Sequence, residues 1–178
     1  MEVPFARAYW VVPGKFLAGC YPGDLDPQAA DQKLEGIVAC GVSRIINLME
    51  AEERDSYGRL FIPYQGRYQQ IAAQRGIEAS FARYPIRDGG IPERVQMKGI
   101  LDDIDSAMEA GKVVYIHCWG GVGRTGTVVA CYLARHGEAQ GQAVLQHLAE
   151  LRRDVHPWRE APEYDIQRDL ARSWQVGE

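Results

Sequence analysis

Cys118 and Arg124 stand six positions apart and enclose a loop with three glycines, Gly120, Gly121 and Gly123. Upstream runs the apolar stretch Val113-Val114-Tyr115-Ile116, which suits a buried parallel strand; downstream, Val128 to Ala134 suits a core helix. A glycine loop between a strand and a helix N-terminus is an anion site. Glycine lets successive N–H groups curl inward, and the helix end adds partial positive charge. Phosphate is the natural guest, held by the main chain of Trp119, Gly120, Gly121, Val122, Gly123 and Arg124. A thiol in such a cradle is favoured as its thiolate. The planar fork of Arg124 can hold two phosphate oxygens at once. A nucleophile, a ring of donors and a bidentate cation around one phosphorus are what covalent phosphoryl transfer requires. Thr125 can donate a hydrogen bond to Cys118 when the sulfur must leave; it and Thr127 are the only threonines in the chain.

The same glycines admit other readings. Gly121-x-Gly123-x-x-Gly126 matches the dinucleotide fingerprint, but that motif needs a following strand ending in an acidic residue. The chain instead runs from Arg135-His136-Gly137 into another helical pattern. Gly121 to Gly126 also has P-loop spacing, yet Thr127 stands where the lysine belongs. A buried structural cysteine is the ordinary fate of a lone Cys after a strand; the glycines, Arg124 and Thr125 argue against it here.

His117-Cys118-x5-Arg124-Thr125 resembles the signature of the cysteine-dependent protein tyrosine and dual-specificity phosphatases. Tyr84-Pro85-Ile86-Arg87-Asp88-Gly89-Gly90 and HCWGGVGRTG are most similar to the small kinase-associated and related bacterial dual-specificity members. The resemblance covers roughly residues 9 to 174. It implies a cysteinyl-phosphate on Cys118, phosphate binding by Arg124, a supporting His117 and Asp88 as general acid. Asp88 lies thirty residues before Cys118, a separation similar to that between acid and nucleophile in the family. By chemistry alone, Asp88 is as well read as a helix-capping aspartate ahead of Pro92. Related phosphatases use a C-terminal glutamine to position the hydrolytic water, and Gln167 matches that place. Inositide members tend to carry lysines in the loop; Trp119 to Val122 has none, which implies phosphoprotein or aryl phosphate substrates. The alternatives are an inositide or nucleotide phosphatase, a phosphate-binding module without turnover, or another cysteine enzyme such as a rhodanese-type sulfurtransferase or an arsenate reductase. No metal and no cofactor are expected, because arginine and backbone dipoles supply the positive charge.

The elements that must position these residues follow from periodicity and punctuation. Tyr9 to Val12 and Lys15 to Ala18 read as strands around the turn pair Pro13-Gly14. Asp26-Pro27 opens a helix with core face Ala30, Leu34, Ile37 and Val38, stopped by Gly41. Arg44 to Leu48 and Ile77 to Tyr84 read as strands, and Val95, Ile100, Leu101, Ile104 and Met108 as the core face of a helix. Asp102, Asp103 and Asp105 fall on its solvated side. Two more helices follow, over Glu138 to Arg153 and through Tyr164, Ile166, Leu170 and Trp174, with Pro157 and Pro162 marking the break between them. Residues 49–76 are the least legible: a charged solvated stretch, then a surface helix with Tyr64 and Tyr68 packed, or an insertion that borders the active site. The expected architecture is one α/β domain over residues 1–178, a mostly parallel central sheet flanked by helices, with the phosphate loop at a strand's carboxyl end.

Composition agrees with a globular chain. Apolar content of 46% supplies a core, and a net charge of −4 argues against nucleic-acid binding. No apolar run reaches the length of a membrane span and MEVPFARAYW lacks signal-peptide architecture, so a cytoplasmic location is expected. Cys20, Cys40, Cys118 and Cys131 have no spacing that suggests zinc or disulfides; Cys131 reads as core and Cys20 as a candidate redox partner for Cys118.

Overall fold

The structure, a computed structural model, describes residues 1–155 and 158–178; Pro157, expected to mark a break, lies outside them. Five strands, β1 (Ala8–Val12), β2 (Phe16–Cys20), β3 (Val42–Asn47), β4 (Ser80–Arg83) and β5 (Val113–Cys118), form one sheet in the order β1-β2-β5-β3-β4. β1 and β2 pair antiparallel, and every other pairing is parallel. The sheet is therefore mostly parallel, and β5 lies in its centre. Alternation along β5 decides which side chain reaches which layer. Val114, Ile116 and Cys118 pack with one apolar cluster, and Tyr115 with the other.

Helices cover both faces. On the Tyr115 side lie α1 (Pro27–Ala39) and α2 (Gln65–Gln74), contributing Leu34, Ile37, Tyr68 and Ile71. Asp26 caps α1 by accepting from the Gln28 N–H at 3.0 Å, and Gly41 follows the helix in the left-handed region at φ 80°. On the other side lie α3 (Arg94–Glu109), α4 (Gly123–Arg135), α5 (Gln142–Leu151) and α6 (Asp165–Ser173). No helix among the described residues is long and apolar enough to cross a membrane.

Several expectations shift. Val95 is 75% exposed, because the buried row of α3 is Met97, Ile100, Leu101, Ile104 and Ala107, spaced by three and four. Asp103 and Asp105 do not face open solvent: Asp103 takes Arg44 at 2.6 Å and the Tyr84 hydroxyl at 3.0 Å, and Asp105 takes Arg135 at 3.4 Å. Asp102, more exposed, still pairs with Lys98 and Arg135. These carboxylates fasten α3 to β3 and α4. In α5, Ala143 is exposed and Val144 and Leu148 carry the burial; in α6, Ile166 is exposed and Leu170 and Ala171 are buried.

Candidate active site

The phosphate loop runs from Cys118, the last residue of β5, to Gly123, the first of α4. The helix starts five residues before the apolar run that announces it, so Arg124 and Thr125 already belong to its first turn. The loop packs on the neighbouring strand. Tyr21 N–H donates to the Trp119 carbonyl at 3.0 Å, and an Arg7 Nη2 donates to the Gly120 carbonyl at 3.0 Å. Since the peptide is planar and trans, the Gly120 N–H points opposite to the Trp119 carbonyl, away from Tyr21. Gly121 is held at φ 70°, and a Cβ there would stand 2.7 Å from the Gly19 carbonyl. Only glycine fits that position.

A cavity of about 360 Å³ opens over this loop, lined by Cys118, Trp119, Gly120, Val122, Gly123 and Arg124, with Asp88 and Gln167. Eight of the residues picked out in the sequence thus share one wall. Gly121 does not line it; its part is the turn against β2. Thr125 also lies behind the wall. The expected hydrogen bond to Cys118 is not made: the Thr125 hydroxyl is buried without a partner among the described residues.

Arg124 is 2% exposed and held from three sides. Its Nη1 and Nη2 donate to Glu53 at 2.6 and 2.7 Å, Nη1 also donates to the Ile86 carbonyl at 3.1 Å, and Nη2 lies 2.9 Å from Asp88. Burial works against the guanidinium charge, but Glu53, Cys118 and Asp88 together hold its pKa above the ordinary arginine value. Its Nε is buried with no partner among the described residues. Glu53 was hidden in the sequence inside a charged stretch read as solvated; its side chain is only 8% exposed. No local signal marks it out from Glu50 or Glu52, because what buries it is a partner 71 residues away.

His117 sits behind the loop, fully buried, its ring stacked on Tyr115 with centroids 5.8 Å apart. Its Nδ1 is 3.1 Å from the Cys118 carbonyl. A carbonyl only accepts, so Nδ1 carries the proton, and Nε2 accepts from the Tyr64 hydroxyl. Burial pushes the His117 pKa down to about 3, so the ring is neutral near pH 7. Tyr64, at the start of α2, shows that both readings of residues 49–76 hold a share. Its ring packs in the core, and the segment does border the site.

Asp88 stands on the turn before α3, 64% exposed, with Gly89 at φ 72° beneath the Tyr164 ring. It makes no helix-capping bond; Glu93 occupies the N-cap of α3. Gln167 is fully buried and ties the pieces together. Its Nε2 donates to the Gly90 carbonyl at 3.0 Å, and its Oε1 accepts from the Tyr164 N–H at 3.2 Å. Cys20 is the register partner of Cys118 across β2 and β5. Burial, opposed by Arg7 and Lys33 and aided by Cys118, pushes its thiol pKa up.

Comparison with known proteins places this geometry. Among curated relatives, the zebrafish Protein tyrosine phosphatase domain-containing protein 1 is 30% identical over 102 residues, covering 56% of this chain and 14% of its own length. Human Dual specificity protein phosphatase CDC14C is 26% identical over 136 residues, covering 71% of this chain and 26% of its own. The match therefore spans about a quarter or less of either relative's length. Tk-PTP in its active form superposes with TM-score 0.66 at 25% identity, covering 96% of this chain and 97% of that one. The fold is shared at 15% identity by PTPMT1, solved with PI(5)P (TM-score 0.64, covering 94% and 93%). It is shared at 14% by P. aeruginosa TpbA, solved with pTyr (TM-score 0.65, covering 97% and 87%). A family model, the PTP-SAK (Swiss Army Knife) DSP-PTPase phosphatase domain, matches residues 6–169. With its signature loop, buried arginine and this match over nearly its whole length, the chain belongs to the DSP-PTPase phosphatase domains.

Proposed function

We propose that this protein hydrolyses phosphomonoesters on protein substrates, aryl phosphates such as phosphotyrosine among them, through a cysteinyl-phosphate on Cys118, and that its 178 residues act as one phosphatase domain. The observation that carries the reading is Arg124, a cavity-wall residue whose buried Nε is a donor with no partner among the described residues. An unpaired buried donor is costly, and a phosphate oxygen would satisfy it. Glu53 fixes the rest of the fork, so the charge is aimed before substrate arrives. Cys118 Sγ attacks phosphorus and forms the S–P bond while the P–O bond to the leaving group breaks. Asp88 gives that oxygen its proton. Arg124 and the loop N–H groups hold the three equatorial oxygens. Asp88 then takes a proton from water as it attacks phosphorus and the S–P bond breaks, releasing phosphate and the Cys118 thiolate, with Gln167 setting the acid loop against the phosphate loop. The positive charge comes from arginine and backbone dipoles, so no metal is required. Four free thiols, Cys118 among them, suit a reducing cytoplasm.

The deciding experiment is phosphate release from phosphotyrosine, phosphoserine and phosphothreonine peptides, inositides and nucleotides, in EDTA, with Cys118→Ser as control. We expect peptide turnover that vanadate blocks and Cys118→Ser abolishes. Activity surviving in Cys118→Ser, or an inositide trisphosphate turned over with ten times the efficiency of any phosphopeptide, would refute the proposal.

A further inference from the structure

A second cavity, of about 480 Å³, lies directly against the first and shares two of its walls, Trp119 and Arg7. Its size is within the roughly 300–1,000 Å³ of ligand clefts. Large apolar side chains that elsewhere would be buried are left open around it: Leu25 is 56% exposed, Leu60 49%, Ile62 44% and Trp119 38%. A cluster of this kind on one rim marks a binding surface rather than scattered exposure.

The cavity is built, not merely open. Its back wall is an aromatic row in which Phe61 meets Trp119 at 5.7 Å and Tyr21 at 4.9 Å between ring centroids. The Tyr21 hydroxyl donates to the Ile62 carbonyl, and Asp55 accepts from the Tyr57 and Arg59 N–H groups at 2.9 Å each, which fixes the loop. The charges at the rim cancel in pairs, Lys33 with Asp24 at 2.7 Å and Arg59 with Asp55 at 2.7 Å. Arg7, on the ridge between the cavities, is bound to the Gly120 carbonyl and to no carboxylate among the described residues.

We infer that this groove is a specificity subsite that takes a bulky apolar side chain flanking the phosphorylated residue of a peptide. The phosphate seats on Arg124, the main chain crosses the ridge of Trp119 and Arg7, and the neighbouring side chain drops between Leu25, Leu60 and Ile62. Arg7 retains donors for a main-chain carbonyl at the crossing. The paired rim charges offer no unpaired basic cluster to hold an anionic membrane, and so favour a peptide over a lipid. The inference rests on the phosphatase reading above and narrows its substrate class.

The test is a set of phosphotyrosine peptides in which each position flanking the phosphoresidue carries Leu or Ala in turn, with kcat/KM measured for each pair. Wild type should favour Leu by about tenfold at one position, equivalent to about 1.4 kcal/mol. In a Leu25→Ser, Leu60→Ser double variant that ratio should fall to about one. The ratio is internal to each protein, so a general loss of activity does not disturb it. A wild-type ratio below about two at every position sinks the inference whether or not the variant folds. So does a ratio that persists in the double variant, or a phosphomonoester lipid in phosphatidylcholine vesicles turned over tenfold better than every peptide. Turnover of a bare aryl phosphate separates the two claims. If it proceeds while the peptide ratios are flat, only the groove fails; if wild type turns over nothing, the phosphatase reading fails first.

Discussion

At the residue scale, the proposed general acid Asp88 rests 2.9 Å from Arg124. That contact brings the carboxyl to the cavity, and its exposure on a glycine turn leaves it free to lift onto a leaving oxygen. A tyrosine phenolate has a pKa of about 10, so its departure near neutral pH benefits strongly from a proton donor. A nitrophenolate leaves with little help. Asp88→Asn keeps the shape and removes the proton, so its defect should grow with leaving-group pKa. General acid catalysis is typically worth about 10²–10⁴-fold, the loss expected on phosphotyrosine, with a clearly smaller loss on a nitrophenyl phosphate in the burst of phenol release. Equal, small losses on both would show that the acid lies elsewhere.

At the scale of elements, the turn from β5 into α4 depends on one backbone conformation. Gly121→Ala should cost about 2 kcal/mol or more in urea unfolding, from its left-handed φ together with the overlap on Gly19. Gly120→Ala, whose Cβ would meet nothing nearer than 3.8 Å, should cost far less. Equal costs would mean that the loop re-forms around the methyl group. This element was legible because its chemistry is local: Cys118, the glycines and Arg124 all lie within one short stretch, and periodicity located the strand and helix around it. The helix on either side of Asp102 was legible too, with Ile100, Leu101 and Ile104 on its buried face, but the ends of that face were not, since Val95 and Met97 are equally apolar and only the packed sheet chooses between them. Glu53 and Tyr64 were illegible as site residues for the opposite reason. Each acts across a long stretch of chain, on Arg124 and on His117, and a charged loop or a tyrosine helix carries no mark of a distant partner.

At the scale of the whole molecule, a neutral histidine at the centre of the sheet ties stability to pH. His117 has its pKa depressed from an ordinary 6.5 to about 3 in the folded protein. Below pH 6.5 the unfolded chain therefore binds a proton that the folded one refuses. Stability from this source is complete above pH 6.5 and declines as pH falls toward 3, by at most about 1.4 kcal/mol per pH unit. Wild type should lose roughly 2 kcal/mol from His117 between pH 6.5 and 5, and His117→Gln should be less stable at pH 7 but flatter over that range. Parallel curves for the two proteins would show that the ring is not held neutral. A different consequence follows from the loop between β3 and α2. One end of it supplies Glu53, which sets the fork of Arg124, and the other end supplies Leu60 and Ile62 at the neighbouring groove. On the two readings proposed above, recognition and catalysis would share a single piece of chain. Anyone transplanting this loop onto a related scaffold to change its substrate range would move the arginine's anchor with it, and a graft that omitted the glutamate would gain selectivity only by surrendering rate.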